Sequence, residues 1–384
     1  VLVALAASAC GSATKDPMNS LTPRGPEARY IDHLFFPVFW VAVGVFCFVA
    51  ALVLYAIVKF RERPGNMTPR QTHGNTKLEF TWTIIPFLLL LGVGTASVIG
   101  IFHLYENPTG QRITFVPAAT NGSPGTLQGK VLEVHVIAHR WWFEFDYPGM
   151  GSMQDQFLSP GEKPDTALVT AGELHIPAGY MVRLDITSNE PAKSPEGVGP
   201  GVIHNFWVPE LAGKIYAIPG HINHLNLEAD SKQITDGHAI TYQGQCSEFC
   251  GISHANMRFK VVAESPADFA TWVTAQQLVQ HPPTVAEQFA HPLAYAGYTL
   301  FNGSGGCSTC HTVQGTTAAG QVGPNLTHLQ ARRVFAGAIF TLNDANLRVW
   351  LRDPQAAKPG ANMRIRKLSE QEITELIAYL DTLK

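Results

Sequence analysis

Between Gly244 and Met257 the chain places two thiols, an imidazole and a thioether in one short stretch, and Cys250, His254 and Met257 follow the spacing Cys-x3-His-x2-Met. Thiolate and thioether sulfur with imidazole favour copper over the oxygen-loving cations. One His from an earlier strand, His204, completes a mononuclear blue-copper set. Cys246 is then one thiolate more than that set needs. Four residues before Cys250, it can bridge a second copper, with the Glu248 carbonyl as a further oxygen donor, and two bridged coppers share one electron. Structural zinc is the first alternative, but zinc sites seldom recruit Met and usually close with four Cys or His ligands. The second is a disulfide, which would be strained over so short a span and would leave His254 and Met257 without a role.

A second group of chemistry-bearing residues is Cys307-Ser-Thr-Cys-His311. Cys-x-x-Cys-His is the attachment motif of c-type haem, in which two thiols add to the vinyl groups and the His becomes an axial ligand. A redox dithiol or half a zinc site are the alternatives. Gly323-Pro-Asn-Leu326 follows, and Lys358-Pro-Gly-Ala-Asn-Met363 offers Met363 as the sixth ligand, with His328 as the weaker choice. His/Met ligation raises the haem potential. The segment resembles class I cytochromes c, which implies that Pro324 braces the proximal His311.

The first stretch resembles subunit II of the haem-copper cytochrome c oxidases, whose dinuclear CuA centre has the pattern Cys-x-Glu-x-Cys-x3-His-x2-Met. The resemblance covers nearly the whole chain. It implies that His204, Cys246, Glu248, Cys250, His254 and Met257 hold CuA, and that a magnesium or manganese ion contacts the Glu248 carbonyl at the boundary with subunit I. Trp141, in the aromatic run from His139 to Tyr147, matches the Trp that accepts electrons from cytochrome c. Glu79, in the segment from His73 to Pro86, matches the Glu at the entrance of a proton pathway. There are two departures: Gly201, behind the unusual insertion starting at Ser194, stands where the family has an acid, and Tyr216 stands where Asp is common. Both touch polar contacts around the ligands rather than the ligands themselves.

These residues need elements to position them. Charged residues make up only 15% of the 384 against 46% apolar, which directs attention to membrane segments. Runs from Leu34 to Val58 and from Phe80 to Leu104 are each about long enough to cross a hydrocarbon core. Lys59, Arg61, Arg63, Arg70 and Lys77 lie between them against Glu62 and Glu79, which places that loop in the cytoplasm and both ends outside. Beyond the connector from Asn107 to Gly129 the period becomes two, with strands expected over 131–137, 181–187, 222–228, 238–243 and 259–264. A copper ligand set on such strands means a cupredoxin-like sandwich. Near the C-terminus Ser369 and Glu372 form a capping box, and Ile373, Leu376, Ile377 and Leu380 repeat on one helix face, expected to pack across the helix holding Tyr298 and Phe301. Val1 to Cys10 resembles the end of an apolar export segment with a lipoprotein cleavage site, making Cys10 a lipid-bearing residue.

The fold expected is multi-domain: an export segment and linker over 1–28, a two-helix transmembrane hairpin over 29–106, an all-β cupredoxin-like Greek-key sandwich over 107–275, a linker over 276–288 and an all-α cytochrome c domain over 289–384. A net charge of -3 without a Lys or Arg run excludes a basic nucleic-acid binder. The function expected is electron entry to a respiratory oxidase in a bacterial cell membrane, through covalent haem c and dinuclear copper, both extracytoplasmic. Partners are oxidase subunits I and III, and a donor such as a cytochrome c or a quinol-cytochrome c reductase. The alternatives are the CuA subunit of a nitric oxide reductase, decided by the catalytic partner, and a free-standing membrane-anchored electron carrier, which copurifying haem a would exclude. The copper ligands argue against a quinol oxidase subunit.

Overall fold

The computed structural model describes residues 18–61, 73–117, 125–151, 168–189, 201–234 and 238–384. Cys10, most of the charged loop between the apolar runs, and the insertion from Ser194 to Pro200 lie outside the described residues.

Two helices form one unit: α1, Pro26–Lys59, and α2, Thr76–Leu104. At 34 and 29 residues each exceeds the ~20 needed to span a bilayer. Both start earlier than the apolar runs suggest, because helix ends are set by caps as well as by hydropathy. The Asn75 side chain accepts the Leu78 amide at 3.2 Å and so starts α2 ahead of Phe80. Within α2 the hydroxyls of Thr81 and Thr83 donate to the carbonyls four residues back, each at 2.8 Å, which satisfies them without water. Tyr30 and His103 meet at a ring separation of 4.5 Å.

The second unit contains a β-sandwich and a helical region. The strands are β1 Thr114–Val116, β2 Thr126–Gln128, β3 Val131–His139, β4 Trp142–Tyr147, β5 Leu168–Ala171, β6 Glu173–Pro177 and β7 Met181–Ser188. They continue with β8 His204–Trp207, β9 Lys214–Ala217, β10 Asn223–Leu227, β11 Ile240–Gln245 and β12 Arg258–Glu264. One five-stranded sheet has the order β10-β7-β3-β4-β5 and the other β6-β12-β11-β8-β9. Pairs β3/β7 and β6/β12 are parallel and the remaining pairs in these sheets antiparallel. Alternation along β3 and β7 turns Val134, Val136, Leu184 and Ile186 inward. Phe143, Phe206 and Phe259 fill the interior, with ring separations of 4.8 Å from Phe143 to Phe259 and 4.6 Å from Phe206 to Phe259. Such pairs add about 0.5–1.5 kcal/mol beyond burial. The aromatic run contains a strand of its own, β4, which the expected strands do not include. All six residues of β4 are at least partly buried, although Phe143, Phe145 and Tyr147 alternate with Glu144 and Asp146 along it.

Helix α3, Pro266–Gln276, follows β12. The helical region is built from α4 Val285–Ala290, α5 Pro292–Asn302, α6 Asp344–Arg352, α7 Pro354–Ala357 and α8 Glu370–Leu380, with a short β13/β14 hairpin, Val334–Phe335 and Phe340–Thr341. The capping box at Ser369 and Glu372 is formed. Tyr379 of α8 packs on Tyr298 and Phe301 of α5 at 5.5 and 5.3 Å, where the periodicity predicts the crossing. The segment between α3 and α4 is anchored on the helical region: Gln280 donates its amide to Gln314 and its side chain to Thr327 and Lys384 carbonyls.

Candidate metal centre

Strand β8 meets β11 through the register pair Trp207 with Gln245, which carries His204 to the mouth of the segment following β11. That segment closes on itself, since the Cys246 amide donates to the Met257 carbonyl at 2.9 Å. Further bonds, from His254 to Gly251 and from Met257 to His254, wind it tightly enough to turn its donors to one point. The Cys246 and Cys250 sulfurs lie 3.8 Å apart, free and buried. From Cys250 Sγ it is 3.5 Å to His254 Nδ1 and 3.9 Å to Met257 Sδ, and from Cys246 Sγ 3.2 Å to the Glu248 carbonyl. Ligand atoms of His204, Cys246 and Cys250 all lie within 4.8 Å of one another. All six sequence-derived ligands are thus brought together.

The donor chemistry fits a pair of soft ions. His204 is fully buried, and neither ring nitrogen has a hydrogen-bond partner. A buried imidazole is ordinarily satisfied, and a metal on one nitrogen would satisfy it. The Cys250 thiol pulls Cys246 well below the usual thiol range, so the pair readily holds a thiolate. Asn205, next to His204, accepts the Ser247 hydroxyl at 2.7 Å and ties β8 to the ligand loop. No sequence signal marked that bond. Gly201 and Tyr216 lie off the ligand set, and Tyr216 is exposed in β9.

In the helical region a single turn of 3-10 helix, Cys307–Thr309, presents the second motif. Amides of Cys310 and His311 both donate to the Cys307 carbonyl, at 3.1 and 3.0 Å, which groups the two thiols with the imidazole. Burial pushes the Cys307 thiol up to about 11 and holds His311 below the ordinary imidazole value, hence neutral. His311 Nδ1 donates to the Pro324 carbonyl at 2.8 Å, which leaves Nε2 with its lone pair for a metal. Pro324 therefore braces His311 through its carbonyl. A Cβ at Gly323 would come within 2.5 Å of the ring, so only glycine lets the brace approach. Met363 is partly buried against the same core, and its Sδ accepts the Trp350 indole N–H at 3.1 Å. His328 instead bonds the Lys384 carbonyl at 2.8 Å. These residues fit a covalently held haem.

The two sites meet through named contacts. Trp141 is 7% exposed, and its indole N–H donates to the Cys250 carbonyl at 2.9 Å. Over its ring lies Gly360, whose Cβ would stand 2.9 Å from the indole edge. Ser253, between two copper-ligand candidates, donates to the Pro359 carbonyl at 2.5 Å. The loop leading to Met363 is therefore seated on the loop holding Cys250 and His254. Residues Ala336, Gly337 and Ala338 all have left-handed backbone, with φ of 55°, 75° and 56°. For the two alanines this costs roughly 1–2 kcal/mol each. The turn it makes hands the Gly337 carbonyl to the Arg258 amide at 3.0 Å. A second contact runs from Glu173, whose carboxylate accepts the amides of Arg333 and Val334 at 2.5 and 2.8 Å. Trp141 is thus covered by the chain's own helical region. Glu79 is exposed in the first turn of α2.

Comparison with known proteins matches each of the three regions of the chain. Residues 132–265 match the cytochrome c oxidase subunit II periplasmic domain, 20–99 its transmembrane domain and 294–384 the cytochrome c family. The chain is similar to cytochrome c oxidase subunit 2 of Alkalihalophilus pseudofirmus, with 33% identity over 97% of this chain and 93% of that protein. It is also similar to cytochrome c oxidase subunit 2 of Bacillus subtilis, at 30% over 100% and 96%. A third relative, cytochrome c oxidase subunit 2 of Bacillus sp. strain PS3, is 31% identical over 85% of this chain and 80% of its own. With its membrane-length helices, its β-sandwich and its C-terminal cytochrome c region, the chain belongs to the cytochrome c oxidase subunit 2 family.

Proposed function

We propose that this chain is the electron-entry subunit of a respiratory haem-copper oxidase, taking electrons at haem c and passing them through dinuclear CuA to the subunit that reduces oxygen to water. In this reading 29–106 is the membrane hairpin, 107–275 the copper domain and 289–384 the haem domain, joined by 276–288. The observation that carries it is the buried convergence of His204, Cys246 and Cys250 with His254, Met257 and the Glu248 carbonyl. When bound, the copper pair and haem c each supply a one-electron relay that needs no proton.

The chain's own residues do the rest. Cys307 and Cys310 would carry the haem covalently, and His311 and Met363 would ligate its iron. The Pro324 carbonyl fixes the His311 tautomer and ring plane. Burial of Cys246, Cys250 and Met257 excludes water from the copper ligands, which lowers the reorganisation that accompanies a change of charge. Trp141 joins the two sites, with its N–H on the Cys250 carbonyl and its main-chain carbonyl facing the haem loop.

Three finer roles follow from the resemblance. Glu79, at a helix N-terminus, would collect protons for subunit I. Glu248 would also contact magnesium or manganese at that subunit's boundary. Cys10 would carry lipid, with both redox domains on the extracytoplasmic side.

The test is purification of the native complex, with its copper, haem c and haem a content measured and its oxygen uptake followed with reduced cytochrome c. Three coppers per complex, two of them in this chain and one in the catalytic subunit, and one haem c, with haem a copurifying, are expected. Absence of haem a or of another catalytic partner would leave the chain a free-standing carrier and defeat the proposal.

A further inference from the structure

Lys358 stands at the junction of three segments. Its side chain is 3% exposed, an unusual burial for a lysine. The Nζ atom donates to the Trp141 carbonyl at 2.5 Å and to the Ala336 carbonyl at 2.8 Å. One acceptor belongs to the sandwich and sits at the aromatic residue bonded to Cys250. The other belongs to the strained left-handed turn, and Lys358 itself begins the loop that ends in Met363. A single amine therefore holds together the haem-ligand loop, the left-handed turn and the aromatic side of the copper loop.

A lysine in such a place loses the water around its head group, so its presence calls for a reason beyond packing. Burial pulls its ammonium down to about 7, yet an amine in either protonation state retains at least two N–H donors for these two carbonyls. Nor is the fit loose. A Cβ at Gly337 would fall 2.4 Å from Nζ and 2.7 Å from the Trp141 carbonyl, so the turn approaches as closely as a glycine permits. Positive φ at Ala336 and Ala338 is kept where it aims a carbonyl at Lys358 and another at Arg258.

We infer that Lys358 is a positioning residue for electron transfer within the chain: its amine clasps the haem-bearing region onto the Trp141 side of the copper loop and sets the geometry in which the two relays exchange electrons. The inference rests on the proposed electron-entry function. It makes the fused haem region a docked donor with one bound pose, instead of a partner swinging on a linker. It also closes the Trp141 face to an external donor, which must then deliver its electrons to the haem region.

The test uses the detergent-purified oxidase and its Lys358→Met variant, which keeps the apolar stem and removes both N–H donors. The step followed is one electron leaving ferrous haem c, which becomes ferric, for the oxidised copper pair, with no bond broken and no proton consumed. Two readouts are taken beside haem c and copper content: the rate of that step after rapid photoreduction, and hydrogen exchange of residues 141–143 and 334–341. The variant is expected to retain both cofactors, to exchange faster at both segments, and to transfer roughly tenfold more slowly or worse, as misplaced reacting partners do. An unchanged transfer rate with both cofactors in place overturns the inference. Missing copper or haem c in the unmutated complex would instead overturn the proposed function, and hydrogen exchange would still report on the clasp. Should the variant fail to assemble, acylation of the unmutated complex decides: Lys358 is expected to resist a reagent that modifies exposed Lys367, and equal modification of the two overturns the clasp.

Discussion

The indole N–H of Trp141 donates to the main-chain carbonyl of Cys250 at 2.9 Å, which links an aromatic ring covered by the helical region to a cysteine of the copper loop. Trp141→Phe keeps an aromatic ring and removes that bond. Loss of one buried hydrogen bond costs about 0.5–1.5 kcal/mol, with more for the carbonyl left unpaired. The copper spectrum is expected to persist with a small shift, while electron transfer from haem c slows. Stopped-flow or flash kinetics check this, and an unchanged rate would remove Trp141 from the path.

Cys246→Ser removes the thiolate that a single-copper site does not need. Copper is expected to fall by one or two ions per complex, with loss of any mixed-valence signal. Haem c stays attached, because Cys307 packs against a separate core. Metal analysis beside the haem c spectrum gives the answer.

Met363→His exchanges a thioether for an imidazole at the residue proposed as the second ligand of the haem iron. The reduction potential of haem c is expected to drop, since His/Met ligation raises it. Redox titration of the complex reads the shift. The Trp350 N–H also loses its sulfur acceptor, so a modest loss of stability accompanies the change.

His175 offers a pH test away from both sites. It is buried between Glu173 and Glu264, at 3.5 and 3.3 Å, and stacks on Trp272. Burial lowers its pKa, but the two carboxylates outweigh this and hold it above the ordinary 6.5. Burial likewise works against ionised Glu173, yet His175 and the Arg333 and Val334 amides hold its pKa below 4.5. The His175 contribution is therefore complete below 6.5 and lost as pH rises through its folded-state pKa. The Glu173 contribution is present above 4.5 and lost as pH falls through its own folded value. Melting temperature of the detergent-purified chain should fall as pH climbs from 6.5, and His175→Gln should flatten that slope. A slope unchanged by the substitution would show that other groups carry it.

Much of this was legible in the residues alone. The candidate ligands of both sites lie mostly in short motifs, where spacing limits what the backbone can bring together, and His204 is a candidate because copper needs a further imidazole. The apolar runs gave both membrane-length helices, and the α5/α8 crossing followed from period 3.6 and a capping box. Strand β4 escaped although Phe143, Phe145 and Tyr147 alternate with Glu144 and Asp146, because the turn at Arg140 and Trp141 that parts it from β3 contains no Gly or Pro to mark it. Lys358, Glu173 and the left-handed turn at Ala336 escaped for another reason. Their partners are far away in sequence and are mostly main-chain groups, which leave no pattern of residue types. The docking of Gly360 on Trp141 is likewise a product of tertiary packing.

The most direct test of the account is the electron paramagnetic resonance spectrum of the oxidised, purified complex, read with its copper content. A mixed-valence signal in which one unpaired electron is shared equally by two copper nuclei is the expected result. A signal from copper on a single nucleus, at one copper per chain in this domain, would contradict the assignment of Cys246 and Cys250 as bridging ligands.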